Sequence, residues 1–162
     1  MPSFVSFIPT EPDFVFAFFE LAPVSEKDVV YDLGCGDGRL LFTALERGAG
    51  GAVGIDIDPK RIEEAANEVK KRGLEEKITL VLGDVLNVDL SYATVVFCYL
   101  IGEASAALKP KFEAELKPGT RVVMEMFPVP YWKPNKTYVV THGMDTGYRE
   151  FYLYVMPPAY SD

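Results

Sequence analysis

The chain reads VVYDLGCGDGR over residues 29–39, where an apolar stretch with strand character runs into three closely spaced glycines and then a helical segment. Glycine adopts positive φ and lets a ligand approach the backbone, so Gly34, Gly36 and Gly38 predict a ligand-binding loop at a strand tip. The dinucleotide fingerprint G-x-G-x-x-G does not fit, because its last glycine would fall at Arg39. A tight strand-to-helix turn without a ligand is the plainer interpretation.

The charges around this loop indicate which ligand it binds. Asp32 lies at the end of the apolar strand and Asp37 lies inside the loop. Two carboxylates would repel a pyrophosphate and would attract a ligand that carries an ammonium and a sulfonium group. S-adenosylmethionine is such a ligand, and we predict that it is the cofactor.

Two further apolar runs also end in acids. The first, GAVGID at 51–56, places Asp56 after Gly34 at about the interval at which a Rossmann-like fold sets an acid against ribose hydroxyls. The second, ITLVLGD at 78–84, ends in Asp84, which is suited to accept a hydrogen bond from the exocyclic amine of adenine. A single acid at a strand end is usually a helix cap, but successive parallel strands bring their ends to one edge of the sheet, where such folds bind ligands.

The remaining hydrophobic runs extend this alternation of strands and helices. They predict strands at about residues 28–33, 51–56, 78–82, 94–100, 121–126, 137–141 and 149–155. The predicted fold is α/β, a Rossmann-like doubly wound sheet of about seven strands, mostly parallel, with a C-terminal antiparallel hairpin.

Length and composition predict one domain. With 162 residues and 49 % hydrophobic content, the chain can bury a core of its own. We expect a single domain over 1–162, with an N-terminal segment and short helix at 1–22, a cofactor-binding core at 28–126, and a proline-rich loop and hairpin at 127–162.

The formal net charge of -8 bears on the partners. A surface of that sign repels phosphate backbones and attracts basic proteins, so nucleic acid is disfavoured. Because no run of 18 apolar residues and no basic leader followed by an apolar run occurs, we predict no membrane association and a cytoplasmic location.

The cysteines do not predict a metal site. Cys35 and Cys98 lack metal-ligand spacing, and His142 is the one histidine of the chain. Free thiols are the default interpretation, and a disulfide between them stays open at this stage.

Four motifs together resemble those of the class I S-adenosylmethionine-dependent methyltransferases: DLGCGDG at 32–38, GIDID at 54–58, GDVLNVDL at 83–90 and ATVVFCYL at 93–100. The resemblance implies that the single domain is a methyltransferase domain, that Asp32 and the first two loop glycines surround the methionine moiety, that Asp56 binds the ribose, and that Asp84 with Val85 binds the adenine. Thr10, at a predicted helix start, could direct backbone N–H groups at the methionine carboxylate, or could only cap the helix. The full set assigned to the cofactor is Thr10, Asp32, Gly34, Cys35, Gly36, Asp37, Asp56, Ile57, Asp84, Val85 and Cys98.

A narrower resemblance rests on FIPT at 7–10, LKPK at 108–111, ELKPGTRVV at 115–123 and YLYV at 152–155. These segments are similar to the small archaeal protein lysine methyltransferases of broad specificity, which have mitochondrial relatives. The resemblance implies methyl transfer to exposed lysines of basic proteins.

Three residues are candidates for the catalytic end of the site. Tyr99 follows the strand whose end faces the methyl group in this fold, and its hydroxyl could accept the proton of the acceptor. Trp132, on the proline-rich loop, could wall a channel for an alkyl-ammonium chain. Glu125 could receive the charge of the incoming lysine. Packing against a helix, capping of the core and an ordinary strand position are the respective structural alternatives.

Other functions compete with lysine methylation. An RNA or small-molecule methyltransferase would use the same cofactor loop, but the strand end FCYL at 97–100 lacks the prolines of N6-adenine enzymes, and the chain is short for a lid. A non-catalytic S-adenosylmethionine-binding module is the third alternative.

Overall fold

A central sheet of eight strands forms from the apolar runs. The computed structural model describes residues 2–7, 11–100, 103–142 and 148–161. The strands of this sheet are β1 (Pro2–Phe7), β2 (Val29–Leu33), β3 (Gly51–Asp56), β4 (Ile78–Leu82), β5 (Val95–Cys98), β6 (Arg121–Glu125), β8 (Lys136–His142) and β9 (Tyr148–Val155). A separate antiparallel pair joins β7 (Trp132–Lys133) to β10 (Ala159–Tyr160).

The strand order is β1-β8-β9-β6-β5-β2-β3-β4. Strands β6, β5, β2, β3 and β4 are parallel neighbours, and β9 runs antiparallel to both β6 and β8. The chain moves outward from β2 to β4 and then returns to β5 on the other side of β2. Ligands of doubly wound sheets bind at such a reversal, outside the carboxyl ends of the strands.

In the described part of the chain, four α-helices cover the sheet: α1 (Glu11–Leu21), α2 (Arg39–Glu46), α3 (Pro59–Lys71) and α4 (Glu103–Glu115). A short 3-10 helix, Val85–Asn87, follows β4. The strand ends that precede α2 and α3 are the glycine loop and Asp56, so the helices begin at the carboxyl edge of the sheet.

The core has two layers, one on each face of the sheet. Alternate strand residues such as Val95 and Phe97 pack with α1, α2 and α3, where Phe18 lies 5.0 Å from Phe97 between ring centres. The intervening residues pack with Leu108 and Phe112 of α4. Burial on both faces explains why the parallel strands are almost wholly apolar.

All seven strands predicted from the sequence are present, and the mostly parallel sheet with its antiparallel hairpin is confirmed. The N-terminal strand β1 was not predicted; it pairs in parallel with β8 at the edge of the sheet. Residues 143–147, which join the two strands of the predicted hairpin, lie outside the described residues. Cys35 and Cys98 are both buried free thiols.

Neither a membrane-spanning helix nor a metal cluster occurs in the part of the chain that the structure describes. None of the helices within the ranges given above has the length and apolar character needed to cross a membrane. Within the same ranges, no group of three or more histidine, cysteine, aspartate or glutamate side chains is arranged to hold a metal ion.

Candidate functional site

The glycine loop is held tightly against β3. The backbone N–H groups of Gly34 and Cys35 both donate to the carbonyl oxygen of Ile55, at 2.8 and 3.0 Å. Gly34 has a φ of +85°, and a Cβ added there would lie 2.6 Å from a side-chain carbon of Leu100 and 3.2 Å from the carbonyl oxygen of Tyr99. Both the backbone conformation and the space therefore require glycine.

Asp56 braces the same loop from the end of β3. Its Oδ2 accepts a hydrogen bond from the backbone N–H of Gly36 at 2.8 Å, and its Oδ1 accepts one from the N–H of Asp58 at 2.9 Å. A carboxylate oxygen has more than one lone pair, so each atom can accept a further donor from the open side. Asp56 thus links the loop to the start of α3 and still faces the cleft.

Asp32 is the most unusual group of the site. Its side chain is 1 % exposed, and none of the residues that the structure describes donates a hydrogen bond to its Oδ1. Burial raises its pKa to about 8, with smaller contributions from the negative charges of Asp56 and Asp37. A buried carboxyl without donors is costly unless a ligand supplies them, and one that brings a positive charge would also favour the ionised form.

Two clefts open on either side of the loop. The Asp32 cleft, about 580 Å³, lies between the loop and α1 and is lined by residues including Phe14, Asp32 and Arg149. The Asp84 cleft, about 360 Å³, is lined on its other side by Asp84 and α4. Both clefts share Gly34, Asp56 and Tyr99. One elongated ligand can therefore span them across the glycine loop.

The Asp84 cleft combines an acid with an exposed apolar surface. Asp84 accepts a hydrogen bond from the N–H of Leu86 at 2.9 Å, which caps the 3-10 helix. Ile57 is 72 % exposed at the rim, and Val85 lines the floor. A solvent-exposed isoleucine beside a hydrogen-bond acceptor such as Asp84 suits a flat, partly polar ring.

A third hollow, the Glu125 pocket, adjoins the Asp32 cleft. It encloses about 140 Å³ and is lined by Tyr99, Leu100, Glu125, Met126, Phe127 and Arg149. Glu125 is 4 % exposed at the end of β6 and forms an ion pair with Arg149. Burial raises the pKa of Glu125, and the Arg149 guanidinium opposes that effect. Tyr99, 50 % exposed, borders this pocket and both clefts.

Sequence comparison places this arrangement in a known family. The ANTKMT methyltransferase domain model matches residues 32–136. A protein-lysine N-methyltransferase of Saccharolobus islandicus (strain REY15A) is 42 % identical over 153 residues, which cover 94 % of each chain. The chain belongs to the ANTKMT methyltransferase family. A lysine N-methyltransferase of Homo sapiens, named for a component of ATP synthase, is 29 % identical over 71 % of this chain and 48 % of its own length.

A solved structure gives a similar result at the level of the fold. The structure described as an RNA methyltransferase from Salinibacter ruber in complex with S-adenosyl-L-homocysteine superposes with a TM-score of 0.82. It is 36 % identical to this chain, and the match covers 93 % of this chain and 94 % of the other. The names of these relatives differ in the acceptor, protein or RNA, and agree on methyl transfer.

Most of the residues that the sequence assigned to the cofactor lie together in this ANTKMT-family chain. Nine of them line the two clefts: Asp32, Gly34, Cys35, Gly36, Asp37, Asp56, Ile57, Asp84 and Val85. Asp37 forms an ion pair with Arg39 at 2.6 Å, and hydrogen bonding to Arg39 is the main cause that lowers its pKa. Thr10 lies outside the described residues.

The two cysteines occupy different surroundings. Cys98 is buried in the core layer that includes Leu33 and Met124, and it is not among the residues that line these clefts. Cys35 does line the Asp32 cleft, and burial, then the charges of Asp32 and Asp56, raise the pKa of its thiol to about 12. Burial likewise raises the pKa of the Cys98 thiol. Neither thiol is therefore suited to act as a nucleophile at neutral pH.

The predicted place of Trp132 on a channel wall needs correction. Its ring is 3 % exposed and lies 5.3 Å from the ring of Tyr154 and 6.1 Å from that of Phe112. Its Nε1 donates to Glu113 of α4 at 3.0 Å. Trp132 is part of the core on the α4 side, where its large apolar area stabilises the fold.

Two residues of the site were not recognised from the sequence. Arg149 is the second residue of β9, and Phe14 lies on α1; both line the Asp32 cleft. In the sequence, Arg149 is a positively charged residue at the start of the predicted strand at 149–155. Phe14 is an aromatic residue that follows soon after Thr10, the predicted start of a helix. Each is a common pattern on its own, so neither pointed to the site.

A further groove of about 630 Å³ lies between α1, α2 and α3, beside the Asp32 cleft. Its charged side chains pair with one another: Arg72 contacts Glu68 at 2.8 Å and Glu46 at 3.6 Å. Arg72 also lies over the ring of Phe42, at 4.2 Å. Arg72 of this groove therefore already has partners, whereas Asp32 Oδ1 in the Asp32 cleft receives no hydrogen bond from the described residues.

Proposed function

We propose that this chain is an S-adenosylmethionine-dependent methyltransferase that acts on lysine side chains of proteins. The observation that carries the proposal is Asp32 at the tip of β2, whose carboxyl is buried and whose Oδ1 receives no hydrogen bond from the described residues. The Glu125 pocket, which is lined by Glu125 and Tyr99, adjoins the Asp32 cleft. The archaeal relative is named a protein-lysine N-methyltransferase, and the human relative is named a lysine N-methyltransferase of an ATP synthase component.

The residues of both clefts fit this cofactor. Asp32 would accept hydrogen bonds from the methionine ammonium, Asp56 from the ribose hydroxyls, and Asp84 from the adenine amine. Ile57 and Val85 would cover the two faces of the adenine. The Salinibacter ruber protein, which covers the same length of chain, was crystallised with the demethylated product.

The cofactor supplies an electrophilic methyl group on a positively charged sulfur. The residues of this chain must then align an amine with that group and keep water away. We propose that the Asp32 cleft holds the methionine half and that Tyr99, at the junction of the three hollows, orients the acceptor. No residue of the chain needs to form a covalent bond with substrate.

A lysine acceptor must lose a proton before it attacks. With a pKa of about 10.4, the neutral amine costs about 4–5 kcal/mol at pH 7. Desolvation in this pocket and the positive charge of the cofactor sulfonium would both lower the pKa of an amine that enters it. The Tyr99 hydroxyl is the group we propose to accept a hydrogen bond from the amine.

Basic proteins with exposed lysines are the proposed partners. The net charge of -8 favours approach of cationic surfaces. We also propose a cytoplasmic location, because two buried free thiols are typical of a reducing compartment. RNA methylation is the second candidate, on the description of the Salinibacter ruber protein.

The experiment offers labelled cofactor to histones, other small basic proteins and total RNA, followed by mass spectrometry. We expect mass increments of one or more methyl groups on lysine-containing peptides from several proteins. A Tyr99→Phe variant run in parallel should reduce the incorporation. Label confined to RNA would overturn the lysine assignment, and a signal limited to one sequence context would overturn only the breadth.

A further inference from the structure

Arg149 is enclosed by groups that together form a cation-binding cage. Its guanidinium carbon lies 4.7 Å from the ring centre of Phe14 and 5.7 Å from that of Tyr99. It also forms an ion pair with Glu125. We call Phe14, Tyr99 and Glu125 the Arg149 cage.

The aromatic rings and the carboxylate of the cage are groups that bind a cation such as the Arg149 guanidinium. Two aromatic faces within about 6 Å attract a cation through the ring quadrupole. Glu125 is 4 % exposed, and a carboxylate that deeply buried is destabilising unless a cation pairs with it. The same three groups would suit the ammonium of an alkyl chain, which carries the same charge on a similar stem.

The cage lies where an acceptor would have to enter. Arg149 and Tyr99 line both the Asp32 cleft and the Glu125 pocket, so the cage forms the boundary between the two hollows. Phe127, 40 % exposed, also lines this pocket. A side chain that passes from the Glu125 pocket to the Asp32 cleft therefore meets Tyr99 and Arg149 at their boundary.

We propose that the Arg149 cage is the subsite for the acceptor lysine, and that Arg149 fills it in the free protein and is displaced when a substrate lysine enters. The inference rests on the proposed function and deepens it. It explains the residue type at this position, because guanidinium keeps its proton throughout the accessible pH range and cannot supply a free amine. A lysine at the same position would itself be a substrate.

The test is therefore the Arg149→Lys variant, which retains the positive charge opposite Glu125. With cofactor present, we expect the variant to methylate its own position 149. In that step the lone pair of the neutral amine forms the N–C bond and the S–C bonding pair stays on sulfur. The proton that the ammonium lost passes to solvent. Peptide mass spectrometry locates the methyl group. Because the reaction occurs within one molecule, its first-order rate constant should be independent of protein concentration.

Arg61→Lys is the matched control, since Arg61 lines the Asp32 cleft and is absent from the cage. Methylation at position 149 without methylation at 61 supports the inference. Equal methylation at both positions, or a rate at 149 that rises with protein concentration, overturns it. An Arg149→Lys variant that methylates added proteins and leaves position 149 unmodified also overturns it. A wild-type protein that methylates no protein lysine would instead contradict the proposed function.

A second variant keeps the test independent of self-modification. Arg149→Met empties the cage of its resident cation and keeps much of the side-chain volume. We expect KM for a lysine peptide to fall severalfold, because the substrate no longer displaces a competitor. A rise in KM with kcat unchanged would show that Arg149 holds the substrate, and would refute the displacement.

Discussion

Replacing Asp32 by asparagine removes the ionisable group at the tip of β2 and nearly preserves its shape. In the free protein the pKa of Asp32 is raised to about 8 by burial, and then by Asp56 and Asp37. At neutral pH most molecules therefore carry a protonated Asp32. A ligand ammonium favours the ionised carboxylate, so cofactor binding should release one proton.

The magnitude follows from the pKa. With a pKa of about 8, about a tenth of the molecules have ionised Asp32 at pH 7 and about a hundredth at pH 6. Cofactor affinity should consequently fall about tenfold, or about 1.4 kcal/mol, for that unit of pH. The cofactor ammonium stays protonated in this window if its pKa is near the usual α-amino value of about 8. The cofactor affinity of the Asp32→Asn variant should not show this dependence on pH.

The assay is titration calorimetry with the demethylated product at pH 6 and pH 7, in two buffers that differ in ionisation enthalpy. Asp37→Asn is the control. In the wild-type protein the pKa of Asp37 is lowered, chiefly by the hydrogen bond from Arg39, so Asp37 is charged at both pH values. The variant should therefore keep the dependence of cofactor affinity on pH. A wild-type affinity that does not change between the two pH values, or an equal slope in Asp32→Asn, would refute the reasoning.

Further predictions concern Asp56, Tyr99, Trp132 and the stability of the free protein. Asp56→Ala should weaken cofactor binding by about 1–3 kcal/mol through lost charge-assisted bonds, measured by calorimetry; unchanged affinity in a folded variant would exclude Asp56. Tyr99→Phe should lower kcat more than cofactor affinity, and equal turnover in steady-state kinetics would limit Tyr99 to packing. Trp132→Phe should lower the free energy of unfolding by about 1–3 kcal/mol and leave the steady-state kinetics unchanged, because the variant loses the hydrogen bond to Glu113 and apolar volume. An altered KM without a loss of stability would show that Trp132 contacts the acceptor. The pKa of Asp32 is above its ordinary value of 3.8, so the folded state binds this proton more tightly than the unfolded state does. This contribution to the free energy of unfolding is fully present below about pH 4 and is lost as the pH rises through 8. Asp32→Asn should remove this loss in denaturant titrations across the window, and an unchanged pH profile would contradict it.

The parts of the fold that follow from local sequence were predictable. Strands β2, β3 and β4 are apolar runs with a glycine at one end, and each contains an acid near its end or leads to one within a residue or two. Chain order alone then brings Asp32, Asp56 and Asp84 to one edge, because parallel strands point the same way. Strand β1 was missed because its partner β8 is remote in sequence, and no local pattern reports such a pairing.

The acceptor side depends on contacts between distant segments. Trp132 turns inward because Glu113 of α4 accepts its N–H, and the proline-rich sequence around Trp132 contains no sign of that partner. The pairing of Glu125 with Arg149 joins two strands whose adjacency follows from the antiparallel return of β9. Sequence patterns locate residues on elements, but they do not determine which side chains meet across the sheet.

The reversal of strand order separates two groups of residues in the sheet. Asp32, Asp56 and Asp84 lie at or just after the ends of β2, β3 and β4 on one side of the reversal, and Tyr99, Glu125 and Arg149 lie on β6 and β9 or just after β5 on the other. Under the proposed function, substitutions on β6 and β9 would alter the acceptor pocket, while the glycine loop would stay held by its hydrogen bonds to Ile55 of β3. Under the proposed function, a designer seeking a new acceptor would therefore first vary β6, β9 and the residues between them.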